Sequence, residues 1–95
     1  MVPEAFRVLS REQETADTFT LALEPTTTAG MAIGPGQFVM VYVFGIGEVP
    51  ISVSGIGHDG GVTLTVRAVG AVSRAICASA PGSCLGLRGP CGNLW

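Results

Sequence analysis

The sequence predicts a small all-β protein, an antiparallel barrel of about six short strands with one short helix. Three observations carry that expectation. Stretches that suit strands recur roughly every 8–12 residues, the spacing of small barrels and sandwiches. Turn signals separate them, drawn from 14 glycines and 6 prolines in 95 residues, and this content stays short of a disordered composition. One segment after Gly70 abandons the two-residue period and suits a helix.

Each element follows from its local pattern. Phe6 and Val8 open a stretch to Thr15 that reads as one or two strands with a turn between. Phe19, Leu21 and Leu23 alternate with Thr18, Thr20 and Ala22, the signature of a half-buried strand. Residues 25–36 hold threonines, glycines and Pro35 and form a loop. Gln37 to Val43 is apolar on both faces, which predicts a central strand covered from both sides. Val49 to Ser54 is a strand that opens on Pro50 and sets Ser52 and Ser54 on one face. Proline has no N–H for a ladder, so this strand belongs at an edge or beside a bulge.

After His58-Asp59-Gly60-Gly61, an Asp-Gly turn that favours a tight hairpin, Val62 to Ala68 alternates again and turns Arg67 outward. Ser73 is placed to cap a helix running to about Ser79, with Val72, Ala75 and Ile76 on one side. Pro81-Gly82 turns the chain, and Cys84 to Arg88 is the last strand before Gly89-Pro90-Cys91-Gly92.

Composition narrows the function classes. Net charge is −2 and the five basic residues are dispersed arginines, which argues against a nucleic-acid footprint. Only 13% of residues are charged, so a chain this small leaves apolar surface for a cofactor, a second domain or a subunit to cover. No apolar stretch reaches the roughly 18–20 residues of a membrane-spanning helix, and the amino terminus lacks the pattern of a signal peptide. Cys77, Cys84 and Cys91 are spaced by seven, which fits neither a redox pair nor a zinc site. They read as reduced, buried or half-buried thiols in a cytoplasmic setting. His58, without an acid or thiol at motif spacing, reads as a solvated turn residue.

The chemistry-bearing side chains are few. The seven acidic residues are scattered over strand ends and turns, and no nucleophile–base pair or metal cluster emerges from their spacing. A cofactor would therefore carry any reaction. Gly70-Ala71-Val72-Ser73-Arg74 opens a helix, where backbone N–H groups suit a phosphate and Arg67 or Arg74 would add charge. The same residues also suit an ordinary capped helix.

Taken in order, Pro35-Gly36-Gln37-Phe38-Val39, Val49-Pro50-Ile51-Ser52-Val53-Ser54, Gly70-Ala71-Val72-Ser73 and Gly86-Leu87-Arg88-Gly89-Pro90-Cys91-Gly92 resemble the flavin-binding domain of the ferredoxin–NADP⁺ reductase superfamily. Within it, they look like the diaphorase (gamma) subunit of nickel–iron and sulfur-reducing hydrogenases and the electron-transfer subunit of dihydroorotate dehydrogenase. The resemblance runs from about Phe6 to Trp95. It implies a six-stranded antiparallel Greek-key barrel that holds FAD on its outer face.

The family's flavin motif (arginine, any residue, tyrosine, then serine or threonine) falls on Val49, Pro50, Ile51 and Ser52. Ser52 matches and would sit beside the flavin N5 as the catalytic position. Ile51 would cover the ring in place of an aromatic, and Val49 removes a charge that normally meets the diphosphate. Gly70, Val72 and Ser73 match the diphosphate-binding turn, and Arg67 matches a basic position before it. Gly89 and Cys91 match the closing turn, with Cys91 where an aromatic is common. Strict alternation sets Ile51 and Ser52 on opposite faces, so a bulge or twist at Pro50 is expected to bring both to the flavin.

The resemblance further implies a longer parent protein with an NAD(P)-binding domain after Trp95 and a 2Fe-2S cluster beyond it. That parent would pass electrons between NAD(P)H and an iron–sulfur or hydrogenase partner, and the domain alone would not be an active enzyme. The losses at Val49, Ile51 and Cys91 support a different reading, a non-catalytic interaction module with a decayed flavin site. A different phosphate ligand at the helix start is a third.

Overall fold

A computed structural model describes residues 3–27, 33–34, 36–57 and 60–89. Six strands, β1 (Glu4–Gln13), β2 (Thr18–Pro25), β3 (Phe38–Val43), β4 (Gly47–Ile56), β5 (Val62–Arg67) and β6 (Cys84–Arg88), close a barrel in the order β1-β2-β5-β4-β3-β6. Every pairing is antiparallel. The single helix, α1 (Ala71–Cys77), lies between β5 and β6 in sequence. The all-β class, the strand number and the lone helix are as the sequence predicts.

The barrel interior collects the alternate apolar residues of every strand. Phe6, Val8, Leu21, Leu23, Val39, Val41, Val53, Val62, Leu64, Val66, Leu85 and Leu87 are all buried. Ile76 of α1 is fully buried with them. Helices this short are marginal alone in water, so α1 is held by the apolar face it lays against the barrel. At its carboxyl end Arg11 of β1 donates to the Cys77 carbonyl and stacks its guanidinium 4.4 Å from the centre of the Phe19 ring. A cation is favourable against the last carbonyls of a helix.

Four local expectations are corrected. Residues 4–13 form one continuous strand, with the irregularity between Val8 and Ser10 absorbed as a bulge instead of a turn. The strand at 38–43 buries only Val39 and Val41; Phe38, Met40 and Tyr42 are half-buried on the outer face. The helix ends at Cys77, and its N-cap is Gly70, with Ser73 three positions further in. Cys84 is exposed, whereas Cys77 is buried. The remaining thiol, Cys91, and His58 lie outside the described residues.

Burial pushes the Cys77 thiol up from its ordinary value, and its Sγ lies 3.5 Å from the Val66 carbonyl oxygen. Thiolate, the reactive form, is thereby disfavoured. In a Cys91→Ser chain, a neutral-pH alkylating agent is expected to label Cys84 promptly and Cys77 only on unfolding. Rapid labelling of both would show that α1 opens readily from the barrel.

Candidate functional site

The barrel is not uniformly sealed. β3 pairs with β4 along its whole length, from Phe38 opposite Ser52 to Val43 opposite Gly47. On the other side, β4 meets β5 only at Val53, Gly55 and Ile56. Residues 47–52 of β4 have no β5 partner, because β5 continues alongside β2 up to Thr18 opposite Arg67. The two strands splay apart, and α1 follows immediately after the splay. A barrel normally removes its edges; here a half-strand of edge survives.

Backbone alternation shows which groups this edge presents. The Val53 N–H donates to the Gln37 carbonyl at 2.8 Å, and its carbonyl accepts from the Gly36 N–H at 3.3 Å. Both bonds lie on the β3 side. Alternation in an antiparallel ladder therefore turns the N–H and C=O of Ser52 the opposite way, toward β5 at the point where the two strands part. Pro50 shares that orientation, so its missing N–H falls on the open side and costs the ladder nothing. This is the structural reason a proline sits within a ten-residue strand.

Hydroxyl groups around the opening are not equivalent. Ser54 donates to the Thr63 carbonyl at 3.0 Å and accepts from Thr65 Oγ1 at 3.2 Å, bridging β4 to β5 where the ladder slips between Val53 and Gly55. Ser73 Oγ is buried, with 6% exposure for the residue, and accepts from the Val69 and Gly70 N–H groups, both at 2.9 Å. It also donates to the Gly70 carbonyl at 3.2 Å. Both hydroxyls hold the fold together. Ser52 is exposed and, among the described residues, its hydroxyl makes no hydrogen bond.

The floor of the opening is apolar. Val49, Ile51, Ala68 and Val72 are partly buried and pack against the core cluster. Val49 and Ile51 stand on β4, Ala68 just past the end of β5 and Val72 on α1. A Cβ built on Gly47 would meet Val72 Cγ2 at 3.3 Å, so the start of β4 and the start of α1 are in close approach. A Cβ built on Gly70 would meet nothing within 4 Å, so the backbone at that turn is open to a ligand.

The expected reconciliation of Ile51 with Ser52 takes another form. The β3–β4 register is regular through Pro50, and the slip on the β5 side lies between Val53 and Gly55. Ile51 and Ser52 stay on opposite faces. Ile51 packs against the core cluster, whereas Ser52 is exposed.

The cations are also redistributed. Arg67 points outward as expected, but its Nε is 3.0 Å from Asp17 Oδ2, and the hydrogen bond from Arg67 is the main reason the Asp17 carboxyl is held below its ordinary value. It is therefore not the unattached cation the sequence suggests. Arg7 pairs with Glu24 at 3.0 Å and Arg88 with Glu48 at 2.7 Å. Among the described residues, Arg74 on α1 is the arginine with no acidic or carbonyl partner. Gly89 ends the described chain with a positive φ of 135°, and Cys91 lies beyond it.

A separate cleft of about 420 Å³ lies between Pro3, Tyr42, Gly47, Glu48 and Arg88. Its charged lining is already paired within itself, so the open edge of β4 is the better site. No group of three or more possible metal ligands occurs among the described residues.

Comparison with known proteins gives the family and the fold. Residues 5–95 match the family model described as oxidoreductase FAD-binding domain. A Thermoplasma acidophilum protein named "Probable dihydroorotate dehydrogenase B (NAD(+)), electron transfer subunit" is 48% identical over 61 residues, covering 64% of this chain and 24% of the relative. The Pyrococcus furiosus sulfhydrogenase 1 subunit gamma is 37% identical over 82 residues, covering 84% of this chain and 28% of the relative. The chain thus spans about a quarter of the length of such relatives. The crystal structure of flavohemoglobin from Malassezia yamatoensis with bound FAD and heme superposes with a TM-score of 0.78 at 17% identity, over 99% of this chain and 26% of that one. At that identity the match speaks for the fold.

Proposed function

From the premise that the chain belongs to the oxidoreductase FAD-binding domain family, we propose that it seats the flavin of an NAD(P)H-dependent electron-transfer protein along the open edge of β4. The observation that carries this reading is Ser52, whose backbone faces the unpaired edge and whose hydroxyl has no partner in the described fold. The residues present fit the cofactor. Val49, Ile51 and Val72 offer an apolar floor to a ring, Ser52 offers a donor at the edge, and the start of α1 beyond Gly70 offers the N–H groups of Ala71 and Val72 to the diphosphate. Arg74 offers the charge that Val49 lacks. In this reading Ser73 acts indirectly, by holding the Val69–Gly70 turn in place.

Flavin, when bound, supplies the exchange between two-electron and one-electron chemistry that no side chain here can perform. The protein's share is binding and orientation. The Ser52 N–H and hydroxyl direct hydrogen bonds to the polar edge of the ring, and the partly buried aliphatic residues exclude water beneath it. Pro50 keeps the strand edge free of a competing donor. The relatives are named as subunits of dihydroorotate dehydrogenase B and of sulfhydrogenase. They support a larger parent that takes electrons from NAD(P)H and delivers them to an iron–sulfur or hydrogenase partner.

Titration of the purified chain with FAD tests the reading. Quenching of flavin fluorescence that saturates at one equivalent is the expected result, and Ser52→Pro, which removes the edge N–H, is expected to weaken it by about tenfold or more, the equivalent of one charge-assisted or well-aligned hydrogen bond. No quenching at micromolar protein would favour the interaction module.

A further inference from the structure

Ser52 stands directly opposite Phe38 in the β3–β4 ladder, and two residues further along each strand Pro50 stands opposite Met40. Phe38 and Met40 are half-buried on this outer face, whereas Ser52 is exposed. In the other direction along β4 the next side chain on the face is Ser54, whose hydroxyl is engaged with Thr63 and Thr65. No neighbouring group fixes the Ser52 hydroxyl by a hydrogen bond, so shape decides where it points.

The pairing of the two strands supplies that shape. The Val53 N–H donates to the Gln37 carbonyl at 2.8 Å, so the adjoining pair, Phe38 with Ser52, is of the non-hydrogen-bonded kind. Facing side chains come closest there, with Cβ atoms about 4.5–5.5 Å apart. A strand residue whose N–H and C=O face one way carries its Cα–H the other way, which for Ser52 is toward Phe38. Its Oγ has three staggered wells. Two flank the Cα–H and lean toward Phe38. The third lies opposite the Cα–H and leans to the side that β5 has left.

We propose that Phe38 is a positioning residue, whose phenyl ring fills the space of the two wells on the β3 side and holds the Ser52 hydroxyl in the third, aimed at a cofactor on the open edge. The proposal rests on the flavin reading above. It accounts for a bulky aromatic set opposite a serine in a pair that has no hydrogen bond of its own. A smaller residue at position 38 would free all three wells, and the hydroxyl would then spend less time directed at the flavin.

A double-mutant cycle tests it, read by FAD fluorescence titration and by the visible absorption of the bound flavin. Ser52→Ala is expected to weaken FAD binding about fivefold, the scale of one hydrogen bond. Phe38→Ala is expected to weaken it about threefold and to shift the flavin absorption in the same direction as Ser52→Ala, while Phe38→Leu, which restores bulk, recovers most of the loss. In the Ser52→Ala background, Phe38→Ala is expected to change nothing further, because the group it acts through is gone. Circular dichroism checks the barrel, and Phe38→Val, a smaller residue that suits a strand, is carried through the same cycle. Equal losses from the substitution at position 38 in both backgrounds, or no loss in the unaltered one, would overturn the positioning role and leave the flavin reading intact. Failure of the unaltered chain to bind FAD would overturn both.

Discussion

Ile76→Ala is expected to lower the unfolding free energy by about 2–5 kcal/mol, the range for truncating a large buried aliphatic side chain. Ile76 is fully buried and is the residue through which a seven-residue helix is anchored to the barrel. Total stability for a domain of this size is about 5–15 kcal/mol, so a large part of it is at stake. The denaturation midpoint in urea should fall with the slope unchanged. Flavin affinity should fall as well, because Val72 and the Gly70 turn move with the helix. A loss under about 1 kcal/mol would show that the barrel closes over the vacated space and that α1 is held mainly by its ends.

Ser73→Ala is the second large effect. Its hydroxyl serves three backbone groups of the turn before α1, accepting from Val69 and Gly70 and returning a bond to Gly70. Alanine leaves two donors to seek water in a half-buried turn, at about 1–3 kcal/mol. Ser73→Thr, which keeps the hydroxyl, is expected to restore most of this. If the hydroxyl instead bound the diphosphate directly, alanine would weaken FAD binding and leave the cofactor-free protein as stable as before. Urea titrations of both variants, with and without FAD, separate the two outcomes.

Much of the fold was legible in the residues because alternation depends only on neighbours in the chain. Leu21, Leu23, Val62, Leu64 and Val66 declare a buried face wherever the strands end up, and Pro50 declares an edge. The continuity of β1 was harder to read, since a bulge at Leu9 and a turn look alike in one strand and differ only in what the partner strand does. The cap of α1 was misplaced for a related reason. Ser73 suits an N-cap by type, but Gly70 takes the extended conformation there, and the hydroxyl serves the turn from inside the helix.

The candidate site divides along the same line. Motif order identified Val49 to Ser52 and Gly70 to Ser73, and the hydroxyl at Ser52 was recognisable as out of place on a strand that otherwise reads apolar. Which hydroxyl is unengaged was not recognisable. Ser52, Ser54 and Ser73 look alike in one dimension, and only the pairing of β4 with β5 assigns Ser54 to a bridge and leaves Ser52 at an open edge. Arg67 follows the same logic: its outward direction comes from alternation, whereas its pairing with Asp17 spans 50 residues of chain.

By itself, then, the sequence determined an all-β barrel with one helix and its buried faces. Those depend on short-range periodicity and on residue type. The splay of β4 from β5 and the half-strand of free edge were decided by tertiary structure. They arise because β5 turns to follow β2 after parting from β4, and long-range pairing of that kind leaves no local trace in the chain.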